Sequence, residues 1–362
     1  MIEADNVFYK GRLLENVRIR LPGLSKSYYF KTVLMPGFSD AHAHPQVVDV
    51  GNGKWCNSLE WIAHRRLKVD ESSLRRDLVL SEKLAKVTIL LSLLNGVTLL
   101  SIVGSLRANA MAVKNIEHKP RVVLMPTLMR GKGWSDFNTF VRFHTSLNGF
   151  ENELVKMGVF IHSISYTNRS DITQAYNYSK KRKILLGMHL SEGISELKKA
   201  VRLLASNKLD IIGVHCIEDE KYEEYAVKIV HCPVSNIYLY NRTLKDPKKI
   251  SCFGSDWPLL IGSVLNQYRT ALRIHKVSPL FLLRKATIGG YETYGMRWDG
   301  DLVAFDEDLK KVVKGEVNQP VYVFVNGNAV VEERGINNLS INDIERIKNE
   351  LIREAFDKHP SE

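Results

Sequence analysis

With 362 residues, 44% apolar and 25% charged, the chain can bury a large core in one barrel-sized fold and lacks the compositional bias of a disordered protein. Its 51 Lys and Arg against 40 Asp and Glu give a net charge of +11, spread along the chain. The densest basic runs, Lys180 to Lys183 and Lys248-Lys249, are short and read as solvated helix ends, so no specific nucleic-acid partner is expected.

Residues 2–34 hold short alternating segments such as Asn16 to Leu21, too few strands for an independent domain. The apolar run Thr32 to Met35 reads as a buried strand that delivers His42 and His44. Strand alternation puts these two imidazoles on one side, close enough to grip one ion. Gln46 to Val69 reads as a long loop, a binding wall in which Trp61 could stack on a planar substrate. Helical periodicity from Leu74 to Leu94 ends at Asn95-Gly96, which also breaks the most apolar stretch, so no membrane span is read.

Strands follow at Val97 to Val103, Arg121 to Thr127 and Gly158 to Ser163, with a basic loop at Arg130 to Trp134 and a weak helix at Phe143 to Met157. Further strands end on chemistry-bearing residues: Ile184 to His189, Ile211 to His215, Ile229 to Cys232 and Ser251 to Asp256. Helices fill the intervals at Ser170 to Lys181 and Ile194 to Leu204. Eight strands separated by crossover helices predict an α/β fold, an eight-stranded parallel β/α barrel over residues 35–299. Late strands and an Asn326-Gly327 hairpin are expected to join the early ones, giving a small β-domain from both chain ends, residues 1–34 and 300–335. Ser340 caps a C-terminal helix within 336–362.

The strand ends bring His42, His44, His189 and Asp256 to one barrel mouth, a donor set suited to one divalent transition ion per chain, zinc or else iron. Glu192, three residues after His189, is placed to move a proton between a bound water and a leaving nitrogen. His215 could polarise the substrate, while His231 is assigned to packing or hydrogen bonding. His162 and Trp61 are candidate substrate contacts. The four cysteines form no Cys-x-x-Cys pair, and no apolar leader opens the chain, so a cytoplasmic protein with free thiols is expected.

The motifs Pro36-Gly37-x-x-Asp40-x-His42-x-His44-Pro45, His189-x-x-Glu192, Val214-His215-Cys216, His231-Cys232-Pro233-x-Ser235-Asn236 and Gly254-Ser255-Asp256-Trp257 resemble those of the amidohydrolase superfamily. The likeness is to its chlorohydrolase, cytosine deaminase and adenosylhomocysteine deaminase branch. It implies a mononuclear site, since the fourth strand carries no lysine to bridge two ions. It further implies Glu192 as proton shuttle, His215 as partner of the attacking hydroxide, and Asp256 as both ligand and base. The expected activity is a deaminase that hydrolyses a non-peptide C–N bond of a purine, pyrimidine or related heterocycle by attack of a metal-bound hydroxide. The alternatives are amide-ring opening, dehalogenation, and a non-catalytic scaffold. The expected partner is a small-molecule substrate, with no membrane; a homo-oligomer is left open.

Overall fold

The computed structural model describes residues 1–9, 12–21, 24, 26–147 and 149–361. The first three strands, β1 (Ile2–Tyr9), β2 (Arg12–Ile19) and β3 (Tyr28–Pro36), lie in a mixed sheet built from both chain ends. The barrel begins with β4 (Phe38–Ala43) and continues through β5 (Val97–Gly104), β6 (Arg121–Leu128), β7 (Val155–Ile161) and β8 (Leu185–Leu190). It ends with β9 (Ile211–His215), β10 (Val227–His231) and β11 (Ile250–Phe253). These eight strands pair in parallel and in sequential order. Three late strands, β12 (Leu302–Ala304), β13 (Tyr322–Val325) and β14 (Asn328–Val331), complete the small sheet in the order β14-β13-β12-β3-β1-β2. No helix among the described residues is long and apolar enough to cross a membrane.

The barrel strands read as unbroken apolar runs because both of their faces are covered. In β6, Val123 and Met125 fill the barrel interior with Leu99, Phe160 and Val214, whereas Val122 packs outward beneath the helices. A buried ion pair fastens the barrel floor to the small sheet. Arg121 Nε donates to Asp301 Oδ2 at 2.6 Å, and the same carboxylate accepts from Tyr291 Oη and from the Asn326 N–H, each at 2.7 Å. With every carboxylate lone pair directed, such a pair fixes register more than it adds stability.

Four expectations need correction. Thr32 to Met35 belongs to β3 of the small sheet, not to the strand bearing His42 and His44; Gly37 separates the two. The expected loop from Gln46 to Val69 contains a helix, α1 (Ser58–His64), because Asn57 Oδ1 accepts from the N–H groups of Leu59 and Glu60 and so caps it. The helix expected from Leu74 is two: α2 (Glu71–Arg76) and α3 (Leu78–Leu94) meet at Asp77, which caps the second. Val155 to Met157 already form β7, and the preceding helix is Phe137–Ser146, so the fourth barrel strand does carry a lysine; Lys156 stands at its start and donates to Tyr294 O at 2.8 Å, away from the histidines.

The helix Ile341–Lys358 opens with a reciprocal cap between Ser340 and Asp343 and packs Ile344, Leu351 and Ala355 inward. Beyond it the chain crosses the segment between α1 and α2: Asp70 N–H donates to His359 O at 2.8 Å, and Ser361 N–H to Lys68 O at 3.0 Å.

Candidate active site

Three imidazoles converge at the mouth of the barrel. His42 and His44 leave the end of β4 and His189 leaves β8. Their Nε2 atoms lie 2.9 Å (His42–His44), 3.3 Å (His44–His189) and 3.2 Å (His189–His42) apart. Each Nε2 is either a donor or an acceptor, so of three mutually adjacent nitrogens at least two are alike, and hydrogen bonding alone cannot satisfy the triangle. A cation satisfies all three lone pairs. Zinc–nitrogen bonds of 2.0–2.1 Å imply tetrahedral edges of about 3.3 Å, close to the observed spacing. Burial, foremost, keeps the three rings neutral by pushing their pKa values below the ordinary histidine range.

Asp256 approaches from the other side of the seam. Its Oδ1 lies 3.6 Å from both His42 Nε2 and His44 Nε2. Burial alone would raise its pKa, but the neighbouring imidazoles of His42, His215 and His44 outweigh it, leaving the carboxyl below its usual range. Among the described residues two triads could hold an ion, His42–His44–His189 and His42–His215–Asp256, and they share His42. The donor set fits one divalent transition ion, with N and O ligands in a buried setting.

The backbone here is strained in a way that aims these groups. Asp256 sits at φ +64° and His215 at φ +72°, both left-handed conformations for non-glycine residues. Such positions cost of order 1 kcal/mol or more each and persist only where the surroundings dictate them. Gly254 lets the end of β11 press against β4, since a Cβ there would lie 2.7 Å from His42 Cβ. Asp40, buried beneath the site, accepts from the Ser255 N–H at 2.8 Å and the His42 N–H at 3.3 Å, bracing both ligand-bearing segments. Burial pushes its carboxyl up to about 7 despite these bonds.

Glu192 lies beside the cluster, 3.7 Å from His215 Nε2. Tyr240 Oη donates to its Oε1 at 2.7 Å. Burial raises its pKa, opposed by His215 and by that tyrosine hydrogen bond. His215 is in turn oriented by Asn236. Asn236 Nδ2 donates to Thr243 Oγ1 at 3.0 Å, so its Oδ1, 2.7 Å from His215 Nδ1, accepts the ring proton and leaves Nε2 with a lone pair.

His162 follows β7, with its ring 5.1 Å from His189 and 6.1 Å from Trp134, and lines the cavity. Trp61 also lines it from α1, with its Nε1–H committed to Val50 O at 3.0 Å. His231 stays out of the cluster and pairs with His275, Nε2 to Nε2 at 3.2 Å. Three participants escaped sequence reasoning: Tyr240, Asp40 and Asn236. The last two stand inside recognised motifs, so their positions were visible and their partners were not. Tyr240 has no sequence signal beyond lying one helical turn after Asn236.

No family model matches the chain, and no curated protein matches it. Solved structures share its fold over nearly full length. An adenosine deaminase from Xanthomonas campestris with bound zinc is 17% identical, with a TM-score of 0.77 over 99% of this chain and 98% of its own. An atrazine chlorohydrolase from Arthrobacter aurescens complexed with zinc is 18% identical, with a TM-score of 0.75 over 97% and 100%. The guanine deaminase of E. coli is 16% identical, with a TM-score of 0.69 over 91% and 99%.

Proposed function

We propose that the chain is a metal-dependent aminohydrolase of the amidohydrolase superfamily, a deaminase acting on a non-peptide C–N bond of a purine, pyrimidine or related heterocycle. The observation that carries this reading is the buried Glu192 beside, but outside, the triangle of His42, His44 and His189. An ion held by these histidines and Asp256, zinc or else iron, would lower the pKa of a coordinated water towards neutrality.

The residues then divide the remaining work. Tyr240 holds Glu192 Oε1 and so fixes the carboxyl that carries the proton. A carboxyl whose pKa burial raises holds a proton more readily and can pass it from water to nitrogen. His215, with Nε2 unprotonated, accepts a hydrogen bond and orients the attacking oxygen or the substrate. Asp256 serves as second base. Water adds to the amidine-like carbon, with one of its protons carried by Glu192 to the ring nitrogen; Asp256 then takes the hydroxyl proton of the adduct and passes it to the amino group, so that the C–N bond breaks, ammonia departs and a carbonyl forms. Phe160, 1% exposed, packs against His42 at a tilt and against His189 edge-on, and excludes bulk water from that side.

Shared fold with adenosine and guanine deaminases supports this reading, and shared fold with a chlorohydrolase supports dehalogenation as the second. Four free cysteines, three of them buried, fit a cytoplasmic protein working on a small molecule. The test is a panel of amino- and chloro-substituted purines, pyrimidines and triazines with zinc-loaded protein, reading ammonia and chloride. Ammonia release supports the deaminase; chloride alone selects the second reading; neither, from fully loaded protein, contradicts both.

A further inference from the structure

We propose that Arg65 and Arg75 form an anion clamp in the wall of the active site, so that the substrate carries a carboxylate or phosphate away from the carbon that reacts. The substrate assignment rests on the aminohydrolase reading, whereas the anion site itself does not.

Arg65 stands at the end of α1 and Arg75 in the last turn of α2, and both line the cavity that also exposes His189, Glu192 and Asp256. Between them lies Glu71, whose Oε2 is 2.6 Å from Arg65 Nη2 and 3.6 Å from Arg75 Nη1. Two guanidinium groups share one carboxylate, which leaves a positive charge in the wall. A structural ion pair needs only one arginine, and Arg65 supplies it.

Arg75 is the unexplained partner. Its side chain is only 11% exposed, and its buried Nε has no hydrogen-bond acceptor among the described residues. Its Nη1 keeps the Glu71 contact, but burying the Nε donor without an acceptor is unfavourable unless a ligand draws the fork round to complete it. Its guanidinium lies 3.9 Å from the centroid of the Trp134 ring, as that of Arg65 lies 4.5 Å from Trp61. Stacking on an indole fixes the plane of the fork, and a small shift of the side chain would turn its N–H groups to a carboxylate or phosphate in the cavity. The clamp is joined to the metal cluster by ring contacts: Trp134 lies 6.1 Å from His162, and His162 lies 5.1 Å from His189. A planar substrate reaching His189 would then occupy the same cavity that Arg75 lines.

Calorimetric titration of inorganic phosphate and of benzoate tests this, using zinc-loaded protein and protein stripped by chelator so that an anion on the ion is separable from one on the clamp. Wild type should bind one of the two in both states, and the tighter of them identifies the substituent. Arg75→Gln should weaken binding about tenfold or more, the loss of one charge-assisted hydrogen bond. Glu71→Gln, which removes the competing carboxylate, should tighten it. If Arg75 is only structural, Arg75→Gln lowers the melting temperature but leaves anion affinity unchanged, and that outcome overturns the clamp. Absence of anion binding in stripped wild type overturns it equally. Metal content of the same samples speaks to the other reading: normal zinc with no anion binding removes the clamp alone, and anion binding by wild type that takes up no zinc when zinc is supplied removes the aminohydrolase alone.

Discussion

The main-chain N–H of His44 donates to the carbonyl of Asp256 at 2.7 Å, across the seam where the last barrel strand meets the first. The N–H of Asp256 returns a bond to His42 O at 2.8 Å. Ligand candidates from opposite ends of the barrel sequence thus close the barrel with their backbones and face one another with their side chains.

Because the seam uses backbone atoms, side-chain removal should spare the fold and strip the ion. Purified wild type should carry about one transition ion per chain. His42→Ala and Asp256→Ala should lose most of it while keeping wild-type secondary structure. Elemental analysis and circular dichroism decide this, and wild-type occupancy in both variants would contradict the site. Chelation of wild type should lower its melting temperature, since an ion bound only by the folded state stabilises it.

Gly254 tests the closeness of the seam. In Gly254→Ala the new Cβ would fall 2.7 Å from His42 Cβ and 3.0 Å from the His42 N and O atoms, so backbone must move. Overpacking of this kind costs about 1–3 kcal/mol, and His42 should shift enough to reduce metal content as well. Denaturant unfolding together with elemental analysis reads both quantities; an unchanged metal content would show that His42 does not depend on this contact.

How legible was this in the sequence? His42, His44, His189 and Asp256 were visible because strand ends concentrate function on one barrel face and alternation groups the first pair. Thr32 to Met35 was assigned to the wrong sheet because a buried apolar run looks the same in either, and only Gly37 marks the change. The helix holding Trp61 was hidden in a loop although Asn57 is a capping residue, because its apolar stripe is only one turn long. Arg75 was lost for another reason: basic residues on a short helix read as solvated, and only the tertiary fold turns this one over Trp134. The pairing of Tyr240 with Glu192 spans two separate elements and leaves no local trace.

The junction between α2 and α3 should show in the acid limb of stability. Asp77 caps α3 through a 3.0 Å bond from the Leu80 N–H, and its Oδ2 lies 3.2 Å from His359 Nε2. The cap bond, aided by His359 and opposed by burial, lowers its pKa. A depressed carboxylate contributes stability that is full above its unfolded pKa, near 4, and lost as pH falls through the lower folded value. Asp77→Asn should therefore cost about 0.5–1 kcal/mol at pH 7, and the difference from wild type should close below about pH 4. Urea unfolding at both pH values checks it; an equal difference at pH 3 and pH 7 would assign the effect to packing instead.

The central claim is that Glu192 moves protons beside a metal cluster. Glu192→Gln keeps the shape of the side chain and an acceptor for Tyr240, but removes the basic oxygen. Once the panel has supplied a substrate, turnover and metal content are measured on the same preparation of this variant. The account predicts wild-type metal content with turnover lower by roughly 10²–10⁴. A fully active Glu192→Gln, with at most a lowered stability, would contradict it.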